Sequence, residues 1–212
     1  MYSYKILALP KVPEHFVKQA YDILEEESKN NISNWHDIPG YTEYRHREVR
    51  HLDGHVFKTA GTTRYTVSKE FEEWVEQHFM GYPITRYGIS VMDVDHGRTL
   101  APHVDTSRDY TIQYLLDLGG DEVDTVWWRE RGKPVARPDL RQNYDPANTI
   151  QDYSNLDEID RVRLEPGVWA ILNASVLHSV ENIVRPRIAF QVGLDVEPSK
   201  LPWTYASKIN ML

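Results

Sequence analysis

The sequence predicts a mainly β domain, a sandwich or jelly roll with helices packed on one sheet. Three observations carry that expectation. Apolar residues recur at helical spacing only within the first eighty residues. From about residue 84 the period changes to two. The period-two segments then follow one another, separated by turn-forming residues, as antiparallel strands do. No internal repeat, low-complexity tract or Gly/Ser linker interrupts the 212 residues, so they are expected to form one domain. Its parts are a helical and mixed support region over 1–83, a β core over 84–196 and a C-terminal tail over 197–212.

Residues 4–9 read as a short strand. From Pro13 to about Lys29 a helix is expected, because Phe16, Ala20 and Leu24 recur on one face with Val17 and Tyr21 beside them. The second helix has the clearer signals. Ser68 can cap it, Glu70 and Glu72 suit the positive end of the dipole, and Phe71, Trp74, Val75, His78 and Phe79 form one stripe. Gly81 and Pro83 stop it. Six strands follow: ITRYGISVMDV, DYTIQYLLDL, DTVWWRE, DRVRLE, GVWAILN and RIAFQVGL. In the second, Ile112, Tyr114, Leu116 and Leu118 oppose Thr111, Gln113, Leu115 and Asp117. In the last, Ile188, Phe190, Val192 and Leu194 oppose Arg187, Ala189, Gln191 and Gly193. That second face is polar and small, which suits the wall of a cavity. Residues 129–158 are polar and rich in Pro and Asn, and read as a surface excursion able to act as a lid.

Composition narrows the partners. Lys and Arg number 24 against 32 Asp and Glu, a formal charge of −8, which argues against nucleic acid and anionic lipid as partners. The absence of Cys excludes disulfides, thiolate metal sites and cysteine nucleophiles. No stretch approaches the roughly 18 apolar residues a membrane span requires. The expectation is a cytoplasmic protein that meets a small molecule, with no nucleic acid and no membrane as partner.

Of nine His, most sit in polar surroundings or on a helix stripe and need no special role. His103 and His178 differ in their company. APHVD places His103 and Asp105 two residues apart at the start of a strand-like run, so that both point to the same face. His178 follows the strand GVWAILN, and Arg187 opens RIAFQVGL on its polar face. Two imidazoles and a carboxylate occupy one side of an octahedral ion and leave three positions open, as non-haem Fe(II) oxygenases require. An Arg supplies a planar fork matched to a co-substrate carboxylate.

The elements HVD at 103–105, LHSVEN at 177–182 and RIAFQ at 187–191 resemble the Fe(II)- and 2-oxoglutarate-dependent oxygenases. The short step from the second His to the Arg is similar to the prolyl-hydroxylase and aspartyl-hydroxylase branches. The resemblance spans roughly residues 85–195. It implies a double-stranded β-helix, a cupin-like jelly roll, with His103, Asp105 and His178 as ligands of Fe(II) and Arg187 on the distal carboxylate of 2-oxoglutarate. O2 is then the second co-substrate. The tyrosine that many prolyl hydroxylases place beside the Arg has no clean match; Gln113, Gln191 and Asn173 are the groups available in its stead. Because halogenating relatives replace the carboxylate ligand with a small residue, Asp105 implies a hydroxylase. The expected reaction is hydroxylation of an unactivated C–H bond of a small polar substrate, a free amino acid or derivative, with release of succinate and CO2. Arg108, Trp127 and Arg129 are the candidate substrate contacts, although adjacent Trp127 and Trp128 should lie on opposite faces, so that at least one packs in the core. A non-catalytic metal-binding sensor and a hydroxylase of a protein residue are the alternatives.

Overall fold

The computed structural model describes residues 3–30, 48–94, 97–105, 109–132 and 152–194. Two antiparallel sheets face each other, as the jelly-roll expectation requires. The larger has the order β1 (Tyr4–Leu7), β10 (Trp169–Asn173), β7 (Tyr110–Asp117), β12 (Arg187–Leu194), β5 (Ile84–Asp93) and β4 (Gly61–Tyr65). The smaller has the order β6 (Leu100–His103), β11 (His178–Glu181), β8 (Asp124–Glu130) and β9 (Leu156–Val162). A hairpin of β2 (Glu48–Arg50) and β3 (Val56–Lys58) forms a separate two-stranded pair.

Both helices are where periodicity places them. α1 (Glu14–Asn30) and α2 (Lys69–His78) pack their stripes on one face of the large sheet. Ser68 caps α2, its hydroxyl accepting from the Phe71 amide at 3.2 Å. Phe16, Ala20, Phe71, Val75 and Phe79 meet Ile112, Tyr114, Trp169, Ile171, Phe190 and Val192 in one core cluster. Since side chains alternate along a strand, the intervening residues of the same strands turn inward between the sheets. Leu115, Ala170, Leu172 and Ala189 do so, and they pack around Trp127 of β8. Thr111, Gln113, Arg187 and Gln191 share that inner face, the polar and small surface expected of a cavity wall.

Some boundaries move. β1 and β4, both from the support region over 1–83, hydrogen-bond into the large sheet and extend it at either edge. β9 begins at Leu156, four residues before the expected strand, and takes over the end of the anticipated excursion, whose start lies in β8. His103 ends β6 rather than beginning a strand, and Asp105 stands two residues beyond it. LHSVEN contains a strand of its own, β11. The middle of the excursion, residues 133–151, and the tail 197–212 lie outside the described residues, and with them the lid expectation. Among the described residues no helix is long and apolar enough to cross a membrane.

Candidate metal centre

Three neighbouring strands of the small sheet, β6, β11 and β8, set one row of side chains. His178 of β11 is the cross-strand partner of His103 on one side and of Trp127 on the other. Cross-strand partners lie about 5 Å apart and point the same way, so all three enter the space between the sheets. The two imidazoles stand with ring centroids 4.5 Å apart. Asp105 joins them from the chain just past β6, where its amide donates to the Ala174 carbonyl at 2.9 Å. His103 Nε2 lies 3.6 Å from Asp105 Oδ1, and the ligating atoms of His103, Asp105 and His178 all fall within 4.8 Å of one another.

Ring orientation is fixed from behind. His103 Nδ1 is 2.8 Å from the Ala101 carbonyl, and His178 Nδ1 is 2.9 Å from the Val176 carbonyl. A carbonyl only accepts, so each Nδ1 carries the proton and each Nε2 presents its lone pair toward Asp105. Metal-binding histidines are held in this way. The repeat of one contact at both residues is local: each ring folds back on the carbonyl two residues earlier in its own chain.

Arg187 opens β12 and is 2% exposed. Its Nη2 donates to the Thr125 hydroxyl at 3.4 Å, and Nη1 has no hydrogen-bond partner among the described residues. Burial lowers its pKa to about 10, against a partial upward pull from Asp124. Asp124 itself is bonded to Arg161 and Arg163 on the other face of the small sheet. Gly119 makes the room in which Arg187 sits: a Cβ there would meet the Arg187 Cβ at 2.8 Å, and the residue has φ +86. The hydroxyls of Ser90, beside Ala189 in the register, and of Thr111 are also buried without a partner among the described residues.

The other sequence candidates scatter. Trp127 is fully buried in the core between the sheets, its Nε1 donating to the Asn173 carbonyl at 3.0 Å, so its polar edge is already engaged. Trp128, on the opposite face, is also buried, against Tyr153. Arg129 is exposed at the far end of β8, and Arg108 lies outside the described residues. Gln113 pairs in register with Gln191, four residues along β12 from Arg187. Asn173 is occupied locally, its Oδ1 accepting from the Ser175 amide and hydroxyl. The guanidinium instead finds Thr125. Sequence reading missed it because Thr is an ordinary strand residue; the available signal was its alternation with Trp127, two residues on.

No protein-family model matches the sequence, and no curated protein matches it. Solved structures do. The non-heme alpha-ketoglutarate-dependent carbocyclase SnoK from nogalamycin biosynthesis aligns with a TM-score of 0.54 at 13% identity, over 91% of this chain and 80% of that one. A prolyl-4-hydroxylase from Pseudomonas putida aligns with a TM-score of 0.43 at 10% identity, over 93% of this chain and 95% of that one. The likeness to the carbocyclase is one of fold, and it agrees with the jelly roll described above.

Proposed function

We propose that the protein is an Fe(II)- and 2-oxoglutarate-dependent oxygenase that hydroxylates an unactivated C–H bond of a small polar molecule. The observation that carries this reading is Arg187. A buried cation is ordinarily paired, because its desolvation is otherwise uncompensated. This one has a single hydroxyl neighbour and a free Nη1 among the described residues. Such a group fits the carboxylate of a ligand.

The spacing supports the same ligand. Thr125, which meets the guanidinium, and Trp127, which stands in the row of the two imidazoles, are two residues apart on β8, or about 7 Å of strand. A five-carbon diacid is roughly 6 Å long at about 1.5 Å per bond. One carboxylate at Arg187 therefore leaves the other end at the His103, Asp105 and His178 cluster. Ser90, on the facing strand beside Ala189, lies along that path.

His103, Asp105 and His178 would hold Fe(II), leaving three positions for 2-oxoglutarate and O2. When bound, Fe(II) with 2-oxoglutarate and O2 would supply the oxidising chemistry, one oxygen atom of O2 going to succinate as CO2 is lost and the other to the substrate. The chain's own residues do the rest. The Ala101 and Val176 carbonyls hold both Nε2 lone pairs in place. Arg187 and Thr125 orient the diacid, and Leu115, Trp127 and Ala189 keep the chamber dry.

Anaerobic addition of Fe(II) and then 2-oxoglutarate to the protein tests the reading. A weak visible charge-transfer band that saturates with 2-oxoglutarate is expected, and it should be missing in Arg187→Met. A wild-type protein that binds Fe(II) but gives no band with 2-oxoglutarate would contradict it.

A further inference from the structure

Facing the metal ligands, the large sheet carries polar side chains that the reading above leaves unused. Gln113 of β7 and Gln191 of β12 are cross-strand partners, and Thr111 lies next along β7, opposite Gly193. Their neighbours Ile112, Tyr114, Phe190 and Val192 point to the helices, so these three point into the space between the sheets. All three are buried, and the Thr111 hydroxyl, in a residue 3% exposed, has no hydrogen-bond partner among the described residues. A buried hydroxyl left unpaired is destabilising, and buried polar groups are therefore almost always paired.

The co-substrate is too short to use this surface. Gln191 and Gly193 are four and six residues from Arg187, about 13 and 20 Å along the strand. A diacid anchored at Arg187 reaches the metal ligands and ends there. The molecule to be oxidised has to be held beyond that point.

We propose that Thr111, Gln113 and Gln191 form the binding subsite for that molecule. The part of it they hold is a neutral hydroxyl- or amide-bearing group, rather than the ammonium and carboxylate of a free amino acid. This rests on the oxygenase reading. Each of the three side chains both donates and accepts, which matches a neutral group of the same kind. None of them carries a charge, so an ionised group here would be buried without a counter-charge. Arg86, which continues the row past Gly193, is exposed.

The test is a thermal-shift screen of the full chain with Mn(II), a redox-silent stand-in for Fe(II), and 2-oxoglutarate. One probe set contains neutral polyols and primary amides, and the other free amino acids and dicarboxylates of similar size. Stabilisation is expected from members of the neutral set. Thr111→Val and Gln113→Leu should weaken it about tenfold in apparent affinity while the shift given by 2-oxoglutarate alone is kept. Without any probe, Thr111→Val should raise the melting temperature by roughly 2–4 °C, since it removes an unpaired hydroxyl. A response confined to charged probes, or to neither set, overturns the proposal. So does a Thr111→Val protein that melts lower than wild type, which would show the hydroxyl to be part of the scaffold. Absence of any shift with Mn(II) and 2-oxoglutarate would instead strike at the oxygenase reading, and the response to the neutral set would still decide the subsite.

Discussion

Two arginines on opposite faces of the small sheet are treated in opposite ways. Arg161, on the outer face, is partly exposed and bonds to Glu158, Asp124 and Glu181. The hydrogen bond to Glu158 leads the effects that raise its pKa, with Asp124 and Glu181 adding to it against partial burial. Arg187, between the sheets, is almost fully buried and bonds to one hydroxyl. Where solvent would help to carry the charge three carboxylates bond to it, and where solvent is excluded none does among the described residues, Asp124 acting only from a distance. A charge compensated within the fold needs nothing more, whereas on the proposed reading Arg187 waits for the charge of a ligand.

The outer network is a scaffold throughout. Tyr153 is buried beneath the β2–β3 hairpin and bonds to Glu181 at 3.2 Å. Burial, together with that carboxylate, pushes its phenol well above the ordinary range. Ser179 links Trp128 Nε1 to the same carboxylate. Every polar group named there has a partner. The inner face differs: Arg187 Nη1 and the Thr111 hydroxyl are buried there with no hydrogen-bond partner among the described residues.

The sharpest break of the comparison is His178→Ala. It should reduce succinate formation below detection and leave the circular dichroism spectrum and melting temperature near wild type, because the site is outside the scaffold. Next in size is the reversal between the two arginines. Arg187→Met should weaken 2-oxoglutarate binding by more than about 2 kcal/mol yet raise the stability of the ligand-free protein, since an uncompensated charge is removed. Arg161→Met should lower stability by about 1 kcal/mol, a figure kept small because solvent screens the half-open pair, and leave 2-oxoglutarate affinity unchanged. Denaturant melts with and without ligand separate these. Smaller again, Thr125→Val should weaken 2-oxoglutarate by about 0.5–1.5 kcal/mol, one neutral hydrogen bond.

Acid and base should part the two faces as well. Burial lowers Arg187 to about 10 from 12.5. Between those values the unfolded chain binds the extra proton, so this group adds stability as pH rises through that window and contributes a constant penalty below it. Affinity for 2-oxoglutarate should accordingly be flat from about pH 7 to 9 and fall as pH passes about 10. On the outer face Asp124 behaves in the reverse sense. Burial alone would raise its pKa, but the bonds from Arg163 and Arg161 outweigh it and the net shift is downward from 3.8. Its stabilisation is complete above the unfolded value and is lost as pH falls through the lower folded one.

Much of the inner face was legible in the sequence and much of the outer face was not, for the same physical reason. β7 and β12 alternate because one side packs on two helices and the other lines a polar interior, so RIAFQVGL announces both. β9, with LDEIDRV, lies at an edge of the small sheet and leaves Ile159 exposed, so no clean period marks where it starts. β6 and β11 have four residues each, too few for any period. That HVD and the distant His178 come together could still be expected, because the proposed ligand chemistry restricts residue type more tightly than strand packing does. The carbonyls that orient the imidazoles left no trace, since every residue has one. Thr125 was hidden by being an ordinary strand former.

The buried charge of Arg187, with no carboxylate bonded to it among the described residues, is the centre of the account, and one paired measurement tests it most directly: melting temperatures of wild type and Arg187→Met, each alone and with Mn(II) plus 2-oxoglutarate. The expected result is a variant that melts higher than wild type when alone and gains nothing from 2-oxoglutarate beyond the effect of metal, while wild type gains several degrees. A variant that melts lower when alone and keeps the wild-type response to 2-oxoglutarate would show Arg187 to be a scaffold charge, and would contradict the account.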